Sequence, residues 1–350
     1  MAIASNFLIA ANDEHGLNPP TVGKRTPVLP YINRPFYENE INRTAKNAFI
    51  LACVRCGFRV YDAHPEITDT SVGTRVRRVN SVGASLCVTF AFNAYGNGQS
   101  FNNANGYIVF YSRSGFRPTQ SRLLCYDISA SLSQTLPTKN LGVGTLTDIG
   151  ILESVRMPSA LIEGGFMTNY SEAKLMLNPD FATALGEGAC RGVCEFLDVE
   201  FVEREGTYPT ISRGSRGKWV RLLQYALSFD GYDIGAKDGV FGANTERVVK
   251  AFQTANSLTA DGIVGRNTWN ALLKFNPPTL RRGNRGTWVK YLQNFLLSKL
   301  YNIGTSDGIF GRNTENAVLD FQRENGLLAD GIVGANTWNA LKTLPGRPLP

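Results

Sequence analysis

The sequence predicts an α/β front, a twisted and mostly parallel sheet with helices on both faces, followed by two small three-helix domains. Three observations carry this prediction. Strand-like and helix-like segments alternate through residues 1–200, as in sheets whose parallel strands are joined by crossover helices. Residues 210–275 recur as residues 279–344 at a constant offset of 69, which marks two copies of one small unit. At 350 residues and 43% hydrophobic composition the chain can fill several cores. The expected organisation is a front domain at 1–200, a linker at 201–209, a first repeat at 210–275 and a second at 276–350.

Within the front domain, strands are expected at Phe7–Ala11, Phe58–Asp62, Leu86–Phe92, Gly106–Tyr111 and Ala160–Phe166. Helices are expected at Glu38–Cys56, Ser121–Leu132 and Asn178–Phe196. In open sheets of this kind ligands gather at the carboxyl ends of the strands.

Composition narrows the functional class. The chain has no run of about 18 apolar residues, so no transmembrane helix is expected. The start, Met1–Asp13, lacks a basic n-region, and its apolar stretch is too short for a secretory signal. The protein is thus expected to be made in the cytoplasm and to reach any outside target by another route. Residues 1–200 hold 17 Lys+Arg and 17 Asp+Glu, whereas residues 201–350 hold 19 and 12 and account for the net +7. A basic back half suits an anionic partner such as wall polymer or nucleic acid; solubility alone is the plain alternative. All six cysteines, Cys53, Cys56, Cys87, Cys125, Cys190 and Cys194, lie in the front half. Cys53 and Cys56 form a CxxC inside a helical pattern with no turn between them, so all six are expected to be reduced, buried packing residues.

The repeats carry their own signature. Gly214, Trp219, Gln224, Asp238, Gly239, Phe252, Gln253, Asp261 and Trp269 recur as Gly283, Trp288, Gln293, Asp307, Gly308, Phe321, Gln322, Asp330 and Trp338. A shorter element appears twice in each copy, 23 residues apart: DGVFGANT and DGIVGRNT, then DGIFGRNT and DGIVGANT. It reads as a turn feeding a helix. Asp-Gly supplies the turn, the second Gly tolerates positive φ, and Asn244, Asn267, Asn313 and Asn336 are expected to cap the helices. Trp219, Leu222, Leu223 and Ala226, matched by Trp288, Tyr291, Leu292 and Phe295, form core stripes at helical spacing. The loops lack the alternating oxygen ligands and closing Glu of a calcium site. No recognition helix or aromatic strand motif accompanies the basic charge, so nucleic acid is not expected. Residues 307–341 closely resemble the peptidoglycan-binding domain type 1 family. That resemblance implies anchoring on peptidoglycan, with two copies raising avidity.

The chemistry of the front domain concentrates at strand ends. His15 follows the first strand in NDEHG, Glu38 opens the first long helix in YENEINR, and Glu163 closes the last strand in SALIEGGFMTN. A histidine and two carboxylates on one edge suit a metal hydrolase. Each also has an ordinary reading: a solvated loop histidine, a helix-start carboxylate complementing the dipole, a lone Glu in an apolar run. Glu163 resists the ordinary reading most, because burying an uncompensated carboxylate is costly.

GKRTP at 23–27, ENEINR at 38–43, the interval from Glu38 to Gly57 and MPSALIEGGFMTN at 157–169 resemble the zinc-dependent N-acetylmuramoyl-L-alanine amidases, the family of cell-separation amidases and phage endolysins. The resemblance spans roughly residues 5–197. It implies His15 and Glu38 as Zn²⁺ ligands, with Glu40 as the alternative to Glu38, and Glu163 as the general base. One position departs: where the family has S-I-H-x-N-A, this chain reads Thr89-Phe90-Ala91-Phe92-Asn93-Ala94, so Ala91 stands at the second zinc histidine. Asn93 of the same motif is a candidate substrate contact. The chain's other histidine, His64, follows a different strand and is a poor substitute, since zinc geometry is demanding.

By the resemblance, an intact site would hold zinc and water, and Glu163 would move the proton as the water attacks the amide between the lactyl group of N-acetylmuramic acid and L-alanine. Ala91 should weaken zinc strongly and impair that reaction. It reads either as a silencing His→Ala replacement or as the mark of a natural pseudo-amidase that binds wall without cutting it. A structural component of a phage-like particle is a further alternative. The Gly- and Asn-rich loop Asn93–Gly106 reads either as a flap over substrate or as a plain solvated loop. No oligomeric state is set by the sequence.

Overall fold

The computed structural model describes residues 1–16, 25–29, 34–96, 98–204, 208–274 and 277–343. Contacts divide the chain into two units, with the main break after Val202. The first unit is a six-stranded sheet in the order β2-β1-β3-β6-β4-β5. Its elements are β1 (Leu8–Asp13), α1 (Glu38–Cys56), β2 (Arg59–Asp62), α2 (Val72–Ser81), β3 (Leu86–Asn93), β4 (Tyr107–Tyr111), α3 (Pro118–Thr135), β5 (Asn140–Thr145), α4 (Gly150–Ser154), β6 (Ser159–Phe166), α5 (Tyr170–Leu177) and α6 (Pro179–Phe196). Strands β2, β1, β3 and β6 run parallel, and β4 pairs antiparallel with β6.

The two faces of β3 show the layering. Phe90 packs its ring on Phe49 of α1, and Phe92 packs on Phe181 of α6. The alternate residues Cys87 and Ala91 join a cluster with Val79 of α2 and Ile151 and Leu152 of α4. Every β3 residue from Leu86 to Phe92 is buried, as expected for a strand covered on both sides. On the first face α6 lies against α1 and α3, and glycines set how close it comes. A Cβ at Gly186 would sit 2.5 Å from Phe49 N, and one at Gly192 would sit 2.4 Å from Ile128 Cα.

Four elements were not anticipated. The helix α2 carries Arg75, Arg77 and Arg78, but its apolar stripe Val72, Val76, Val79 and its Ser71 cap, which accepts from Thr74 N, were readable. The edge strand β5, Asn-Leu-Gly-Val-Gly-Thr, has two glycines and scant burial, so neither propensity nor alternation signals it. The short α4 and α5 fell below the length at which periodicity speaks.

A buried ion cluster ties β1 to its surroundings. The side chain of Asp13 is fully buried, and its Oδ1 lies 3.2 Å from Lys46 Nζ and 2.9 Å from His64 Nδ1. Arg43 Nε approaches Oδ2 at 3.3 Å. Lys46 also donates to Asp62 Oδ1 at 2.9 Å and to the His64 carbonyl at 2.6 Å. Burial alone would raise the Asp13 pKa, but Lys46, the His64 hydrogen bond and Arg43 outweigh it and hold the group below its ordinary 3.8.

The second unit contains the repeats: α7 (Lys218–Phe229), α8 (Ala243–Ala255) and α9 (Arg266–Leu273), then α10 (Thr287–Ser298), α11 (Arg312–Glu324) and α12 (Ala335–Thr343). One device recurs four times. Gln224 Nε2 donates to Asp238 Oδ1 at 3.0 Å and to the Val240 carbonyl, while its Oε1 accepts from Gly239 N at 2.8 Å. Gln253 with Asp261, Gln293 with Asp307 and Gln322 with Asp330 repeat this arrangement. The positive φ falls on the glycine of each Asp-Gly pair, 77° at Gly239 and 71° at Gly331. It does not fall on the second glycine: Gly242, Gly265 and Gly311 have φ near −90° and occupy the N-caps. Asn244, Asn267, Asn313 and Asn336 are therefore not caps but second helical residues; Asn244 donates instead to the Ile234 carbonyl at 2.9 Å. The repeats also meet each other. Thr287 Oγ1 donates to Asn256 Oδ1 at 3.1 Å, and a Cβ at Gly286 would lie 2.8 Å from the Ala255 carbonyl.

Replacing Asp13 by Asn should destabilise the protein by about 3–5 kcal/mol, because it leaves Lys46 and Arg43 facing a neutral amide in the interior. Urea unfolding of the variant measures this. Because the folded-state pKa is depressed, the Asp13 contribution is complete above the unfolded value and is lost as pH falls through the folded one. The acid limb of the stability curve should accordingly flatten in Asp13→Asn.

Candidate active site at the carboxyl edge of the sheet

The site is built outward from the end of β1. Glu14 N donates to the Phe90 carbonyl at 3.1 Å and carries the ladder one residue past β1. The chain then turns sharply, with His15 at φ 63°. Two asparagines on the first turns of α1 hold this turn: Asn39 Nδ2 donates to the Gly16 carbonyl at 2.6 Å and Asn42 Nδ2 to the Glu14 carbonyl at 2.9 Å. A non-glycine residue in the left-handed region is costly unless its surroundings impose it, and these two donors do so.

The same helix start presents Glu38. Its Oε2 lies 3.6 Å from His15 Nε2. Its Oε1 accepts from Phe92 N at 3.0 Å and from Asn42 Nδ2 at 3.3 Å. The bond to Phe92 N brings the buried Glu38 carboxylate to the end of β3, one residue past Ala91. Ala91 is itself buried and pairs in register with Glu163 on β6, which is 9% exposed. Side chains at paired positions of parallel strands share a face, so Glu163 and residue 91 face the same side of the sheet. His15, Glu38, the end of β3 and Glu163 thus gather on one edge.

The remaining candidates are placed as follows. Glu40 turns back to accept from Tyr37 N at 3.0 Å and so serves the helix start. His64 is fully buried, and its ring nitrogens face Asp13 and, at 2.9 Å from Nε2, the Thr68 carbonyl. Both nitrogens are thus committed to oxygen acceptors, away from Glu38. Asn93 Oδ1 accepts from Ala94 N at 2.8 Å, beside a register shift between Ala91 and Asn93. Gly23 and Lys24 of the GKRTP segment, and Asn97 of the loop, lie outside the described residues.

Sequence reasoning missed Glu172. This buried carboxylate on α5 accepts from Gly106 N at Oε1 and from Phe166 N at Oε2, each at 2.7 Å. It ties the end of the Asn93–Gly106 loop to the end of β6. Burial raises its pKa, and the two N–H bonds oppose that rise. Tyr95 N donates to Thr168 Oγ1 at 3.0 Å and Asn102 N to the Thr168 carbonyl at 2.8 Å, so the loop is fastened at several points.

A zinc ion bound by N and O donors at about 2.0–2.2 Å could be shared by a histidine and a carboxylate this close. A catalytic zinc takes three protein ligands, however, and no third His, Cys, Asp or Glu ligand atom joins His15 and Glu38 among the described residues. The methyl group of Ala91 offers none. The donors present do not complete a catalytic zinc site.

Comparison with known proteins places both units. Residues 30–195 match the N-acetylmuramoyl-L-alanine amidase family, a span that holds Glu38, Ala91, Asn93 and Glu163 and begins after His15. Residues 216–272 and 285–341 each match the peptidoglycan binding domain. A spore cortex-lytic enzyme of Bacillus cereus is 36% identical over 77 residues, covering 22% of this chain and 30% of that protein. The endolysin of Bacillus phage SPP1 is 28% identical over 126 residues, 36% of this chain and 45% of the endolysin. The zinc D-Ala-D-Ala carboxypeptidase of Streptomyces albus G is 45% identical over 67 residues, 18% of this chain and 26% of the carboxypeptidase. The chain thus spans less than half the length of each of these relatives. Among solved structures, an N-acetylmuramoyl-L-alanine amidase from Clostridium difficile 630 is 24% identical with a TM-score of 0.47, covering 57% of this chain and all but 2% of that one (98%).

Glu172→Gln keeps one acceptor but turns an amide donor toward an N–H, and should cost about 1–3 kcal/mol. Hydrogen exchange at Gly106 and Phe166 should then accelerate ahead of the rest of the sheet. Unchanged exchange at both amides would rule out the brace.

Proposed function

We propose, for this chain of the N-acetylmuramoyl-L-alanine amidase family with its two peptidoglycan-binding domains, a cell-wall lytic role that is impaired at one position. The repeats hold the protein on peptidoglycan. The front domain is directed at the amide joining the lactyl group of N-acetylmuramic acid to L-alanine. Glu163 is the group that would accept a proton from the attacking water and return it to the leaving amine. His15 and Glu38 are the metal-binding pair, and Asn93 lines the edge beside them. The observation that carries this reading is the register of Ala91 with Glu163 next to the Glu38–Phe92 bond: the one position without a donor adjoins both carboxylates.

Ala91→His should restore zinc binding and raise the release of L-alanine amino termini from purified peptidoglycan by at least about 100-fold, since even supporting groups around a metal change affinity by 10–100-fold. Glu163→Ala in that background should abolish the release. A variant that takes up zinc and releases nothing would sink the amidase assignment.

The burial of the Ala91 methyl in an apolar cluster with Ala10, Cys87 and Leu161 favours a second reading, a domain that recognises muropeptide without cutting it. In that case Ala91→His takes up no zinc. The wall-binding role is tested separately by sedimentation with insoluble peptidoglycan: removing residues 203–350 should abolish co-sedimentation at moderate salt, and retention of full binding would contradict the role given to the repeats.

A further inference from the structure

Four of the six cysteines converge at the far end of α1 from the candidate active site. Cys53 and Cys56 lie three residues apart on α1, and Cys190 and Cys194 lie four apart on α6, so each pair shares a helix face. The glycine contact between these helices brings the pairs together. Gly186 packs on Phe49, and one turn onward from each, Cys190 meets Cys53 with the sulfurs 3.5 Å apart. The sulfurs of Cys56, Cys190 and Cys194 all lie within 4.8 Å of one another. Among the described residues this is the only group of three or more His, Cys, Asp or Glu side chains so placed.

Packing alone does not account for this arrangement. Cys87 and Cys125 are equally buried, yet each stands apart from the group, with Cys125 Sγ donating to the Phe110 carbonyl at 3.4 Å. The sulfurs of Cys56, Cys190 and Cys194 instead have the spacing a metal imposes, and Cys53 adjoins this group through Cys190. Zinc–sulfur bonds of about 2.3 Å at tetrahedral angles hold sulfurs roughly 3.8 Å apart. Val202 N donates to Cys56 Sγ at 3.3 Å, a bond from backbone to sulfur that stabilises a thiolate over a thiol. The guanidinium groups of Arg55 and Arg191 flank the same corner, stacked on the Phe201 ring at 5.7 and 4.1 Å. A centre of four thiolates and one divalent ion has a net charge of −2; Arg55, which also pairs with Glu187, and Arg191 lie beside it.

We infer that Cys56, Cys190 and Cys194 hold one zinc ion, and that Cys53, whose sulfur lies 3.5 Å from that of Cys190 but outside the three-sulfur group, swings in as the fourth thiolate of a closed tetrahedral site. The four thiols lose their protons to solvent as the ion binds, and no electron transfer is involved. At about 1.5 Å per residue, Cys53 lies roughly 22 Å along α1 from Glu38, so this centre has no part in the edge chemistry. With four protein sulfurs and no open position it is structural. It clamps α1 to α6 and, through Val202, the segment that leaves the front unit. This replaces the expectation of plain packing cysteines for these four and keeps it for Cys87 and Cys125.

The test uses the full chain, purified under reducing conditions and reconstituted with zinc. One zinc per chain should be released by a mercurial thiol reagent. That stoichiometry should persist in a His15→Ala/Glu38→Ala double variant, which removes the donors of the edge site, and be lost in Cys56→Ser and Cys190→Ser. Cobalt(II) in place of zinc should give the near-ultraviolet charge-transfer absorption of thiolate ligation. If the serine variants fail to fold, the mercurial release and the cobalt spectrum of the unaltered chain still decide. A chain that takes up no zinc and gives no thiolate–cobalt absorption overturns the proposal, as does a Cys53–Cys190 disulfide in the reduced, metal-treated protein.

Discussion

The carboxylate of Asp13, buried at the end of β1, is the point on which the front unit turns. Lys46, Arg43 and His64 converge on it from α1 and from the segment after β2. An ion cluster of this kind is not an efficient source of net stability, because desolvation consumes much of the attraction. What it does constrain is geometry. Lys46 can bridge Asp13 and Asp62 only if α1, β1 and β2 hold one relative placement. That placement sets where the first turns of α1 lie, and hence where Asn39, Asn42 and Glu38 meet the loop bearing His15. The candidate site inherits its geometry from charges that take no part in its chemistry.

Glu38 then links two requirements through one side chain. One carboxylate oxygen satisfies the Phe92 amide at the end of β3, and the other points to His15. Holding one oxygen with a fixed N–H orients the second, as a supporting shell does around a metal. Ala91, in register with Glu163, adds no donor atom beside this pair. The His15–Glu38 pair, the in-register Glu163 and the brace at Glu172 describe an ordered edge.

Much of this was legible in the sequence because local chemistry and global fold agreed. The helix α1 begins at Glu38 and ends at Cys56, as its pattern and the following Gly57 indicate. The parallel strands fall within a residue or two of their apolar runs. Where the reading failed, the deciding contacts were distant in sequence. The asparagines of the DGxxGxxT elements look like caps, yet the chain gives that place to glycine. The Asp-Gly turns are instead held by a glutamine 9 to 15 residues away. Glu172 has no motif, since its two partners are backbone amides. The CxxC on α1 gains meaning only when α6 delivers the second pair, and a glycine contact invisible to any periodicity brings that helix near.

The seam between the repeats has a mechanical consequence. Gly286 is pressed against the Ala255 carbonyl, and Thr287 is bonded to Asn256, so the second module is not strung on a loose tether. Under the wall-binding role proposed for the repeats, two modules joined in this way would act as a caliper. Such a pair engages together when sites on the polymer match its pitch and one face at a time when they do not. Retention would then report the spacing of the sacculus mesh as well as its chemistry.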